Sequence, residues 1–108
     1  MSEIKESDWK LFKAIKEEAL ETFCKERLRE YENIITDDTR SAHERYLHLF
    51  KLSRARDKEM ELLFDGHSRS KAFFQLMEIR REGIANPDLV DKLSDEFKAA
   101  TDPERFGG

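Results

Sequence analysis

Apolar side chains recur every three or four residues along most of the chain, and this periodicity divides it into four helical stretches. The clearest runs from Ser41 to Phe64. Ala42, Tyr46, Leu49, Phe50, Ser53, Met60 and Phe64 share one face at about 100° per residue, with Leu63 at its edge. Glu44, Lys51, Ala55 and Lys58 take the opposite side, as in an amphipathic helix with a solvated back. Ser41-Ala-His-Glu44 has the spacing of a capping box, which starts this helix near residue 41 and runs it to about 65.

The flanking stretches follow the same logic. Ser7 or Asp8 can cap a first helix over about 8–34, with the stripe Trp9, Phe12, Ala19, Leu20, Phe23, Cys24, Tyr31 and Ile34. Cys24 on that stripe reads as a buried, unreactive thiol. Asp65-Gly66 signals a turn and Ser68 can cap a third helix over 68–82. Its apolar residues, Phe74 and Met77 among them, spread over most of the circumference, which predicts burial from several sides and a subunit contact. One Gly costs a helix only ~1 kcal/mol relative to Ala, so an unbroken helix through Gly66 is the oligomeric alternative. At ~1.5 Å per residue it would be about 60 Å long, more than so small a chain covers, and a break near Gly66 is favoured.

Gly83 suits a left-handed cap with Ile84 beside it, and Asn86-Pro87 opens a fourth helix over about 87–100. Thr101-Asp-Pro103 stops it. Residues 1–6 read as a frayed lead-in and 102–108 as a loose tail. The expected fold is all-α: a single domain, 1–108, built as an up-and-down bundle of three to four helices. Helix 2 or helix 3 is expected to pair it into a homodimer.

Composition narrows the class further. Of 108 residues, 41% are charged and 38% hydrophobic, with 4 Gly and 2 Pro, a mixture suited to long exposed helices. Residues 1–39 hold 7 Lys/Arg against 11 Asp/Glu, 40–83 hold 10 against 7, and 84–108 hold 3 against 6. A basic middle between acidic ends is too weak a charge pattern for a nucleic-acid footprint. A single cysteine excludes an internal disulfide framework and suits a reducing compartment. With no apolar run of membrane-spanning length and no signal-peptide pattern, a cytoplasmic protein away from the membrane is the expectation.

Two charges interrupt the central stripe. Asp57 falls inside the apolar arc between Phe50 and Phe64, and Arg56 lies towards its edge. A carboxylate aimed at a core needs a partner or a proton. Lys16 and Arg27 fall within the first helix's stripe and are the candidates. If the two helices turn near residue 38, Asp57 faces Ala19, one turn from Lys16, which makes Lys16 the expected partner. The same register sets Phe12 against Phe64 and Tyr31 near Arg45 and Tyr46. The bland reading is an interfacial ion pair. The sharper one is a polar pocket of Asp57, Lys16, Arg27 and Arg56, which requires an enclosed cavity beside Asp57.

Other chemistry is thin. His43 and His48 differ by about 140° around a helix and cannot share an ion, so no metal or cofactor is expected. Arg54, Arg56, Arg69, Lys71, Arg80 and Arg81 could face phosphates, yet acidic neighbours make ordinary helix ion pairs the simpler reading. Gly107-Gly108 matches the tails of ubiquitin-like carriers without their β-rich context, and is read as tail.

The runs Asp8-Trp-Lys10, Ala19-Leu-Glu-Thr-Phe-Cys24, Ser41-Ala-His-Glu-Arg-Tyr46 and Arg56-Asp57 resemble a group of small, all-helical bacterial proteins of unassigned function, over roughly residues 8 to 82. The resemblance implies a bacterial cytosolic helical protein and transfers no site residues. The functional expectation is a non-catalytic interaction or structural module that self-associates. The alternatives are a small-molecule binder or enzyme using the Asp57 pocket and, behind it, a nucleic-acid binder using the basic 40–83 segment.

Overall fold

The computed structural model describes residues 4–106; Met1–Glu3 of the expected lead-in and the Gly107-Gly108 pair lie outside the described residues. Every regular element within that range is helical. Three longer helices, α1 (Glu6–Ile35), α2 (Ala42–Phe64) and α3 (Arg69–Arg81), pack together. Two short ones, α4 (Pro87–Asp91) and α5 (Asp95–Ala100), and a 3-10 turn over Pro103–Phe106 close one end.

Local chemistry explains most boundaries. Ser41 accepts from the Glu44 N–H while Glu44 Oε1 accepts from the Ser41 N–H, so the capping box is complete. Ser68 accepts from the Lys71 N–H and starts α3. Between them Asp65 leaves the helix with extended backbone, and Gly66 follows at φ +82°, a left-handed conformation that turns the chain back. Gly83, at φ +74°, ends α3: its N–H reaches the Arg80 carbonyl and the Ile84 N–H reaches the Ile79 carbonyl, with Ile84 buried. That pairing is a Schellman cap. The start of α1 differs from expectation, because Lys5 is its N-cap without a side-chain bond and Asp8 is buried inside the first turns.

Asp8 has another task. Its carboxylate accepts from the Ser94 N–H at 2.9 Å and from the Ser94 hydroxyl at 2.6 Å. A continuous helix over 87–100 would give that N–H to the Val90 carbonyl; instead Leu93 bonds there and Ser94 caps a new helix through Phe97. The expected fourth helix is therefore two. The expected loose tail begins with the 3-10 turn, which packs on α3.

The core gathers where all the elements meet. Phe12, Ile15, Ala19 and Phe23 of α1 pack with Leu63, with Ala72, Leu76 and Ile79 of α3, and with Val90, Leu93 and Phe97. Phe73 meets Phe97 edge-on at 5.0 Å. So α3 is central, and among its apolar residues Phe74 is the one left exposed.

Beyond this core, α1 and α2 continue as a bare antiparallel hairpin. The molecule measures 53 × 26 × 23 Å, and its radius of gyration of 16.7 Å exceeds the ~13 Å usual for this length. Of the 23 residues of α2, only Leu63 is fully buried. No helix of the described residues is long and apolar enough to cross a membrane.

Candidate functional site

The hairpin register decides which side chains meet. Phe23 packs edge-on against Phe64 at 5.7 Å, and Arg56 reaches Glu30. Asp57 thus lies level with Arg29 and Glu30, not Ala19, a slide of ~15 Å at ~1.5 Å per residue. The six-residue join 36–41 is too long to pin the register as a tight turn would, so side-chain packing sets it.

That slide separates Asp57 from Lys16. The Lys16 ammonium instead donates to the Gly66 carbonyl at 2.6 Å, and burial lowers its pKa below the ordinary lysine value. It braces the α2–α3 join. Among the described residues Asp57 has no ion-pair partner and is exposed. The stripe on which it sits faces outward over its first half, where Tyr46 is 68% exposed and Phe50 49%, and turns onto the core only at Met60 and Phe64. The expectation of a carboxylate aimed at a core fails because, level with Asp57, the core has already ended and the stripe looks outward. The seam against α1 is made by the adjacent arc, where Arg45, Leu49, Leu52, Arg56 and Leu63 share a side.

Between the two helices, on the outward side, runs an open trough of about 490 Å³. From α1 it is lined by Phe23, Cys24, Arg27, Leu28 and Tyr31. From α2 come Ser53, Arg54, Arg56, Asp57 and Met60. Three of the four polar candidates, Asp57, Arg27 and Arg56, are therefore brought together; Lys16 is not. Cys24 is half-buried in the trough wall rather than sealed in the core.

Its electrostatics are mostly settled internally. Arg56 donates from Nε and Nη2 to the two Glu30 oxygens at 3.1 and 2.9 Å, and from Nη1 to Glu59. This hydrogen bonding holds the Glu30 carboxyl below its usual range and raises the Arg56 guanidinium further. Arg27 stacks over the Phe23 ring at 5.2 Å. Its buried Nε stays 3.6 Å from Glu30, beyond hydrogen-bond length. Burial pushes the Tyr31 phenol up. Arg54 lies over the Phe50 ring at 5.6 Å, with no carboxylate within ion-pair distance among the described residues. One acid and one base on the rim, Asp57 and Arg54, are left over.

The trough continues into apolar surface that the sequence reading missed. Leu20, Cys24, Leu28, Tyr31 and Ile35 share an arc of α1 about 80° wide, and Leu28 is 66% exposed. Leu28 and Ile35 at that spacing were a legible signal, masked by the stronger core stripe beside it. Elsewhere the basic residues of 40–83 are largely engaged: Arg69 with Glu6 and the Trp9 ring, Arg80 with the Lys98 carbonyl and Thr101, Arg81 with Glu78. Among the described residues no three His, Cys, Asp or Glu side chains cluster as metal ligands would. Compared with known protein families, curated proteins and solved structures, the chain matches none.

Proposed function

We propose that this protein is a non-catalytic helical interaction module that works by self-association through its α1–α2 hairpin. One observation carries the reading: α2 buries a single side chain completely, yet presents a full amphipathic stripe. Apolar surface at that density is seldom left to water on a small chain unless something covers it. Leu28 and Ile35 of α1 and Tyr46 and Phe50 of α2 together extend the patch along the hairpin. An open trough between parallel ridges suits a third helix, which beds its own side chains into such a groove. It suits a small molecule poorly, since ligand sites enclose most of their occupant. Helix 2, not helix 3, is the surface this reading assigns to the dimer.

Multi-angle light scattering on the full chain tests it. A mass of two chains is expected, and Phe50→Glu should return one chain with unchanged helical content. A single chain at every concentration overturns the reading.

A further inference from the structure

Resting on that self-association, we infer that the trough receives α2 of a second copy, antiparallel and centred level with Ala55. The stripe of α2 that flanks its seam with α1 is Tyr46, Phe50, Ser53, Asp57, Met60 and Phe64, spaced by four, three, four, three and four residues, the pattern of a coiled-coil seam. Tyr46, Phe50 and Asp57 are exposed, while Met60 and Phe64 pack partly on the core and offer only part of their surface. Its chemistry is nearly palindromic: large, large, polar, polar, large, large. Turning α2 end for end about Ala55 sets Tyr46 on Phe64, Phe50 on Met60 and Ser53 on Asp57 of the second copy. A two-fold interface requires a surface complementary to itself, and this stripe has that property.

Charge selects the same occupant. Asp57 and Arg54 are the rim groups with no opposite charge within ion-pair distance among the described residues. They stand three residues apart on one helix. In the antiparallel register each Asp57 comes level with Ser53 of the other copy and one residue from its Arg54. The hydroxyl then donates to the carboxylate, and two symmetric ion pairs form. A foreign helix would have to supply both charges at that spacing; a second copy does so by construction. Size agrees as well. From Tyr46 to Phe64 the seam is ~27 Å long, and two helices ~10 Å apart give a face of ~540 Å² in flat projection. The corrugated surface is larger, on the scale of the ~800 Å² per partner of a stable interface.

Cross-linking tests the register. Full-length Cys24→Ser chains carrying S53C and D57C, one with a size tag, are mixed and mildly oxidised. The mixed 53–57 disulfide should form about tenfold faster than a K51C–D57C control on the solvated back, because paired sites fall within the ~7 Å Cα separation a disulfide tolerates. Like residues do not: 53 and its symmetry mate share the same lateral separation but are offset by a further ~6 Å along the axis. In the wild-type background, Arg54→Asp or Asp57→Arg alone should weaken the dimer by about tenfold, or ~1.4 kcal/mol, and the double exchange should restore it. A dimer by light scattering with no excess of mixed disulfide overturns the register and leaves self-association standing. A monomer overturns both.

Discussion

Arg56 and Glu30 meet fork to fork across the hairpin, two parallel N–H···O bonds joining helices that share little buried surface at that level. A bidentate guanidinium–carboxylate pair fixes distance and rotation together, so it acts as the register pin for the protruding half of α1 and α2. Glu30→Gln keeps the shape and removes the charge. The expected loss is about 1 kcal/mol, because both side chains remain partly solvated. Urea unfolding of the variant measures it, and an unchanged midpoint would show that packing alone holds the register.

The same pair makes stability depend on acid. Glu30 has its carboxyl held below the ordinary value of 4.5, first by the Arg56 hydrogen bonds. In the unfolded chain it protonates near that ordinary value, so the folded state binds its proton later. Its contribution is complete above about 4.5 and disappears as pH falls through the lower folded value. Between pH 5 and pH 3 the melting temperature of wild type should therefore fall more steeply than that of Glu30→Gln. Parallel slopes would remove Glu30 from the account.

Asp8 ties the first turns of α1 to the N-cap of α5, 86 residues away. Asp8→Ala leaves the Ser94 N–H and hydroxyl without their acceptor in a partly buried site. It should cost about 2–3 kcal/mol, on the scale of hydrogen bonds to a charged group. A double-mutant cycle with Ser94→Ala isolates the hydroxyl's share, about half of that, as coupling energy, because the variant keeps the backbone N–H that also donates to Asp8. Full additivity would mean that Asp8 acts through the backbone N–H and not through the Ser94 hydroxyl.

The two left-handed glycines make a matched pair. A Cβ at Gly83 meets nothing within 4 Å, whereas at Gly66 it comes within 3.3 Å of the Lys71 Nζ, the free end of a flexible chain. Alanine at either position should therefore cost the backbone penalty, ~1–2 kcal/mol, and little more. Thermal unfolding of Gly66→Ala and Gly83→Ala compares them directly. A much larger loss at Gly66 would mean that the Lys16 bond to its carbonyl breaks as well.

Helix positions and their caps were readable because they depend on residues within one turn of each other: Ser41 with Glu44, Ser68 with Lys71, Gly83 with Ile84. The register was not. It depends on Phe23 finding Phe64 across a six-residue join, and nothing local encodes that distance. The split of the last helix was hidden for a similar reason, since Asp8 acts on Ser94 from the other end of the chain. That Asp57 interrupts an apolar stripe is legible in the sequence; which way the stripe faces at that level is not, because it follows from the register and from where the core ends.

Because Leu63 is the one fully buried side chain of α2, the amides of residues 42–58 draw little protection from the core. Backbone hydrogen exchange there is governed by fraying of a two-helix arm rather than by global unfolding. Those protons become a clock for whatever sits on the arm: fast when it is bare, slow while it is covered.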